Sequence, residues 1–243
     1  MVVIMKCKKI LLIIPAYNEE KCILSTCKKI IEYNKKNNTS FDFIIINDGS
    51  IDNTLNILEN NDIPYINLIH NLGIGGAVQT GYKYAYENGY DYAVQFDGDG
   101  QHDINYVKNI VEPLINEDAD MVIGSRFINK ESSNFKSSKS RQFGIKVISF
   151  FIKFVTGKKV FDTTSGFRAV NRKIIKEFAS GYPIEYPEPI TTTEVLKKKY
   201  KVSEVPVSMN EREDGKSSIH SWKNAYYMIN VCLSILLVKI RRY

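Results

Sequence analysis

The stretch Val94-Gln95-Phe96-Asp97-Gly98-Asp99-Gly100-Gln101-His102-Asp103 reads as an apolar strand that ends in two carboxylates one residue apart. Along an extended chain, residues i and i+2 point to the same side. Asp97 and Asp99 are therefore expected to face one spot, with Gln101 adding a neutral oxygen if the turn curls back. Hard divalent cations take carboxylate and amide oxygens and leave positions open for water or a substrate phosphate. The pattern suggests chemistry on a metal-bound diphosphate. Asp and Gly also tolerate ordinary turn geometry, so a plain turn is the competing reading. An EF-hand loop is excluded, because its sixth and twelfth positions need Gly and Glu and here hold His102 and Lys108.

Outward from this strand (92–97), short β-rich runs alternate with helical patterns. The expected strands are 10–15, 41–47, 65–70, 92–97 and 121–125, and the expected helices are 19–36, 52–59, 75–88 and 104–116. Such alternation predicts βαβ units and a mostly parallel, Rossmann-like α/β sheet flanked by helices. In these sheets ligands bind beyond the carboxyl ends of the strands. Three strand ends carry polar or acidic groups to that edge: Pro15-Ala16-Tyr17-Asn18-Glu19-Glu20, Asn47-Asp48-Gly49-Ser50 and Asp97-Gly98-Asp99.

The 243 residues suit one large domain with an appendage, and 44% hydrophobic content supplies a substantial core. A net charge of +6 without a long basic block fits contact with phosphates or an anionic membrane surface and does not require nucleic acid. The four cysteines form no CxxC pair and have no metal-type spacing with histidine, as expected for reduced, buried thiols. The first nine residues lack a secretory hydrophobic region, so a cytoplasmic chain is expected.

Other segments leave two readings open. Asn71-Leu72-Gly73-Ile74-Gly75-Gly76 follows a strand, but a dinucleotide fingerprint needs glycine where Val78 stands. These glycines permit a tight turn and close helix packing, or cradle a phosphate. Arg126 at a strand tip and Arg168 after a small-residue turn are surface arginines or anion-recognition groups. Residues 129–141 read as a mobile loop, and 145–155 as a helix either buried or lying at a membrane surface. After the expected strand 202–209, Arg212 and Lys216 flank Gly215 in a segment that is a diphosphate lid or a solvated charged loop. The apolar stretch 225–238 falls short of the roughly 20 residues of a membrane span. With its basic end it fits an interfacial or oligomer-forming helix, and core packing is the rival.

Taken in order, Ile14 to Glu20, Asn47 to Ser50, Asp97 to His102, Gly124-Ser125-Arg126, Ser165-Gly166-Phe167-Arg168 and Glu204-Val205-Pro206-Val207 resemble the family 2 inverting glycosyltransferases of the GT-A fold. The closer resemblance is to dolichyl-phosphate and polyprenyl-phosphate sugar transferases, and it extends to about residue 220. The resemblance implies a GT-A domain over 1–220, followed by a C-terminal helical extension over 221–243.

It also implies roles for particular residues. Pro15, Tyr17, Glu19, Ile46 and Asp48 would hold the nucleotide base and ribose. Asp97, Gly98 and Asp99 would form a DXD motif binding Mg²⁺ or Mn²⁺, with Gln101 as a further ligand. Arg126 would touch the nucleotide, and Arg212 and Lys216 would grip phosphate. The implied partners are a nucleoside-diphosphate sugar donor, a lipid-phosphate or lipid-linked glycan acceptor, and the inner face of the cell membrane, with self-association as a further possibility. Where polysaccharide-building relatives carry a Glu-Asp pair, this chain has Glu185-Tyr186-Pro187-Glu188-Pro189. An anionic phosphate acceptor needs no general base, which favours a lipid phosphate. Glu188 is the candidate base for the alternative, a sugar hydroxyl in capsule or cell-wall synthesis. A non-catalytic sugar-nucleotide-binding subunit is the rival from another class.

Overall fold

The structure, a computed structural model, describes residues 8–128, 139–209 and 221–241. Seven strands form one sheet in the order β3-β2-β1-β4-β6-β5-β7. The strands are β1 (Ile10–Ala16), β2 (Phe41–Asn47), β3 (Tyr65–Asn67), β4 (Tyr92–Gln95), β5 (Met121–Ser125), β6 (Arg168–Asn171) and β7 (Val202–Pro206). All pairings are parallel except those of β6, which runs antiparallel to both β4 and β5.

Eight helices accompany the sheet among the described residues: α1 (Ile23–Asn37), α2 (Thr54–Asn60), α3 (Gly73–Glu87), α4 (Val107–Ile115), α5 (Lys139–Thr156), α6 (Arg172–Ser180), α7 (Pro187–Lys197) and α8 (Ser221–Ile240). Every residue of β1 is buried, because both faces of the sheet are covered and an unbroken apolar run is what such a strand requires. Ile10, Leu12 and Ile14 pack into one core with Ile23 and Ile30 of α1 and Val107 and Val111 of α4. Leu11 and Ile13 turn to a second core with Val78 and Tyr82 of α3 and Ile174 and Phe178 of α6. Each fully buried aliphatic side chain contributes about 2 kcal/mol of transfer free energy, so the alternation along β1 secures both layers.

The fold matches the expected mostly parallel α/β sheet and departs from the expected elements in several places, the expected strand 202–209 for one ending at Pro206. The expected strand 65–70 ends at Asn67. The segment read as a loop through residue 141 already enters α5 at Lys139, and residues 129–138 lie outside the described residues. Arg168 opens a strand instead of standing on the surface. α8 packs against α5 and α7, burying Val231, Ile235 and Val238 and leaving another face exposed. No helix among the described residues is long and apolar enough to cross a membrane.

Candidate active site

The order of β1, β2 and β4 creates the site. β2 and β3 extend to one side of β1 and β4 lies on the other, so a crevice opens beyond the carboxyl ends of these strands. The crevice has a volume of about 590 Å³. Pro15, Ala16, Tyr17 and Glu19 line it from β1, Asp48 from β2, and Asn71, Gly73, Ile74 and Ala77 from the start of α3. Gln95, Asp97 and Gly98 follow from β4, Thr164 and Gly166 from the approach to β6, and Glu188 from the first turn of α7. Four carboxylates therefore face one cavity, and no Lys or Arg stands among its described lining residues.

Local hydrogen bonds hold these groups in place. Asn18, in a left-handed conformation at φ 57°, donates its N–H to Ser50 Oγ at 2.9 Å, and its own side-chain oxygen accepts the Ile51 N–H. Thr54 Oγ1 accepts the Glu19 N–H at 2.9 Å. The β1 and β2 tips are thus laced into one rim. Asp48 Oδ1 accepts the Leu72 N–H at 2.7 Å, which anchors the start of α3. Burial pushes the Asp48 carboxyl above its usual range, opposed by the N–H groups of Leu72 and Gly73. Gly75 serves close packing, since a Cβ there would stand 2.2 Å from the Pro183 carbonyl oxygen, whereas Gly73 serves the turn with φ +77° and open space around it.

Asp97 and Asp99 do not share one environment. β4 ends at Gln95 and Gly100 adopts φ +79°, so the i, i+2 rule for extended chain stops applying before it reaches them. Asp97 lines the crevice with its side chain 31% exposed. Asp99 is buried, and its Oδ1 accepts the Gln101 N–H at 3.0 Å. It is therefore the backbone of Gln101 that meets Asp99, and the Gln101 side chain is not part of the crevice lining. Thr26 Oγ1 donates to the Gly98 carbonyl at 3.1 Å and supports the turn from behind.

Beneath the turn lies His102, which sequence reasoning left without a role. Its ring stacks on Phe167 with centroids 4.6 Å apart and meets the edge of Phe96. Nδ1 accepts the Asp97 N–H at 2.9 Å, and Nε2 stands 3.4 Å from Asp97 Oδ2. Burial pushes the imidazole pKa down to about 3, so the ring is neutral. A neutral ring accepting at Nδ1 carries its proton at Nε2, facing the Asp97 carboxylate.

Two expectations are corrected. Ile46 is fully buried and belongs to the core on the α3 side of the sheet, not to the crevice. Arg126 is buried in a fork with Asp162, its Nε 2.7 Å and Nη2 2.8 Å from the two carboxylate oxygens. Its Nη2 also donates to Thr164 Oγ1 at 3.2 Å, so Arg126 stands behind a residue of the crevice lining and is not itself part of that lining. Glu204 fixes this arrangement by accepting the N–H groups of Phe161 and Asp162, each at 2.8 Å. Arg168 is wholly buried, donating to the carbonyls of Ser165 and Glu188 and to Thr191 Oγ1. Arg212 and Lys216 lie outside the described residues, although Met209, which leads to them, bridges to His102.

Glu188 lies above Arg168. Burial is the largest influence on its carboxyl and raises its pKa, with Arg168 opposing and Asp97 adding to the rise. Gln95 bonds to Glu188 through its side chain, while its buried Oε1 has no hydrogen-bond partner among the described residues. Gln95, Thr164 and Gly166 escaped sequence reasoning. Only the Ser165-Gly166-Phe167-Arg168 stretch signalled that region.

Comparison with known proteins identifies the family and the fold. The family described as "Glycosyl transferase family 2" matches residues 11–178. The UDP-N-acetylglucosamine–dolichyl-phosphate N-acetylglucosaminyltransferase of Methanococcus voltae is 36% identical, spanning 82% of this chain and 85% of the relative. The undecaprenyl-phosphate mannosyltransferase of Micrococcus luteus is 26% identical, spanning 92% of each. Glucosyl-3-phosphoglycerate synthase from Mycobacterium tuberculosis, solved with Mn²⁺, UDP-glucose and phosphoglyceric acid, superposes with a TM-score of 0.71. That likeness covers all of this chain and 83% of the synthase at 16% identity, which establishes the shared GT-A fold. An enzyme of this class, not a passive binding subunit, accounts for the match: the chain belongs to glycosyl transferase family 2 and is a glycosyltransferase.

Proposed function

We propose that this glycosyltransferase moves a sugar from a nucleoside-diphosphate donor to a polyprenyl-phosphate lipid, inverting the anomeric centre, with a divalent cation held at Asp97 and Asp99. The observation that carries the reading is the crevice lining: Glu19, Asp48, Asp97 and Glu188 with no described cation. A diphosphate cannot sit among these carboxylates without added positive charge. The donor set fits Mg²⁺ or Mn²⁺, since such ions are held by one or two carboxylates and complete their shell with substrate phosphates. When bound, the ion offsets the charge growing on the leaving diphosphate.

The chain's own groups supply the rest. Pro15, Tyr17, Glu19 and Asp48 form the rim proposed for base and ribose. Gln95 and Glu188, both in the crevice lining, are proposed to meet the sugar. Arg212 and Lys216 are proposed to grip phosphate. A phosphate monoester, with a second pKa of about 6, is largely ionised at neutral pH and attacks without a base. The activities for which the Methanococcus voltae and Micrococcus luteus relatives are named support a polyprenyl-phosphate acceptor, and a membrane lipid acceptor supports work at the inner membrane face.

A second reading, transfer to a sugar hydroxyl, is favoured by one feature. Glu188 lines the crevice with a raised pKa, as suits a base. Parallel incubations of labelled UDP-N-acetylglucosamine and Mn²⁺ with polyprenyl phosphate and with a lipid-linked glycan separate the two. Label carried into the prenyl phosphate supports the first reading. Label appearing only on a lipid-linked glycan supports the second, and label on neither with any nucleotide sugar rejects both.

A further inference from the structure

We infer that the exposed faces of α5 and α8 together form a docking surface for an anionic phospholipid bilayer, placing the crevice beside the lipid that carries the acceptor. The inference rests on the lipid-acceptor reading above. On α5, Phe143, Phe150 and Phe154 are each more than half exposed, at spacings of seven and four that keep them on one face. On α8, Tyr226, Ile229, Leu233, Leu237 and Ile240 are likewise more than half exposed and follow the three-and-four spacing of a single stripe. The two helices run side by side in the same direction. A Cβ on Gly144 would lie 3.2 Å from Met228 Sδ, and Lys239 Nζ sits 4.2 Å from the Phe154 ring centroid.

Charge identifies the occupant. Neither helix contains an Asp or Glu, whereas α5 carries Lys146 and Lys153 and α8 carries Lys239. Aromatic and aliphatic residues among basic ones suit a helix lying in the interface of an anionic membrane. A second copy of this chain is a poor occupant, because a two-fold interface sets a patch against itself and would press acid-free basic helices together. The surface is also joined to the crevice. Tyr186 packs edge-on against Tyr227 of α8 with centroids 4.6 Å apart, and Pro187 and Glu188 follow as the first turn of α7. One short element separates the apolar face from the carboxylate that lines the cavity.

Flotation of the full chain with vesicles free of prenyl lipid tests the inference. The protein should rise with phosphatidylglycerol–phosphatidylcholine vesicles, stay behind with pure phosphatidylcholine, and be released by high salt. Phe150→Ser/Phe154→Ser/Leu233→Ser should weaken vesicle binding about tenfold or more with an unchanged melting temperature. Lys146→Glu/Lys153→Glu, which leaves the apolar stripe intact, should weaken it in the same direction. Transfer to a short, water-soluble prenyl phosphate without vesicles should be the same in wild type and variants. That arm tests the acceptor assignment independently of docking. Wild type that ignores anionic vesicles, or rises equally with neutral ones, overturns the inference. So does a triple variant that floats like wild type, or a sedimentation result in which these substitutions split a dimer that never bound vesicles.

Discussion

The Asp97 backbone N–H donates to His102 Nδ1 at 2.9 Å, and the same ring turns Nε2 to within 3.4 Å of the Asp97 carboxylate. One buried imidazole thus fixes both the main chain and the side-chain surroundings of the acid that faces the crevice. Removing the ring leaves a donor without its acceptor and a void beside Phe167. His102→Ala is expected to lose about 3 kcal/mol of stability, and His102→Gln, which returns an acceptor, less. Urea unfolding of the two variants checks the order, and equal losses would remove the hydrogen bond from the account.

Arg126 and Asp162 form a second buried pair, joined through two short side-chain bonds. Neutralising one partner strands the other charge in the interior. Asp162→Asn is expected to cost about 3–5 kcal/mol, well beyond a surface ion pair. Thermal or denaturant unfolding measures it. A loss below about 1 kcal/mol, as an exposed pair would give, contradicts the burial argument.

Gly75 has no room for a side chain. A Cβ there would meet backbone atoms of Pro183 and Ile184 at 2.2–2.6 Å, and backbone cannot swing aside as a side chain can. Gly75→Ala is expected to cost about 1–3 kcal/mol and to weaken nucleotide binding, because the displaced helix start carries Gly73 and Ile74 of the crevice. Calorimetric titration of both forms with UDP and Mn²⁺ reads the affinity.

Glu188 gives a pH signature. Its folded-state pKa is raised above 4.5 by burial, so the folded protein keeps this proton after the unfolded chain has released it. Stability from this group is fully present below the unfolded pKa and is lost as pH rises through the folded pKa. Glu188→Gln lacks that loss. The variant should gain stability relative to wild type as pH climbs from the carboxylate range to neutrality, read from urea midpoints at each pH. A parallel pair of curves would place Glu188 in water.

The fold was legible where a strand is an unbroken apolar run. Residues 41–47 and 121–125 are strands at the bounds the pattern predicts. β6 was not, because four residues, Arg168–Asn171, carry too little period-two signal. α7 was hidden for another reason. Thr191, Thr192 and Thr193 are buried, and each donates its hydroxyl to the carbonyl four residues back. A helix satisfied this way buries polar β-branched residues and shows no apolar stripe. Within the site, Asp97, Asp48 and Glu19 stood out because strand ends deliver them. How Asp97, Asp99 and Gln101 stand to one another was not legible, because a glycine turn replaced the extended geometry assumed for them. The burial of Arg126 could not be read, since Asp162 lies 36 residues further on.

The account depends most on cation-assisted binding of a nucleoside diphosphate at Asp97, and calorimetric titration of UDP tests this directly. Wild type should bind UDP with Mn²⁺ or Mg²⁺ and lose that binding in EDTA, and Asp97→Asn should bind about a hundredfold more weakly, roughly 2.7 kcal/mol. UDP affinity that is equal with and without the divalent ion, and unchanged in Asp97→Asn, would contradict it.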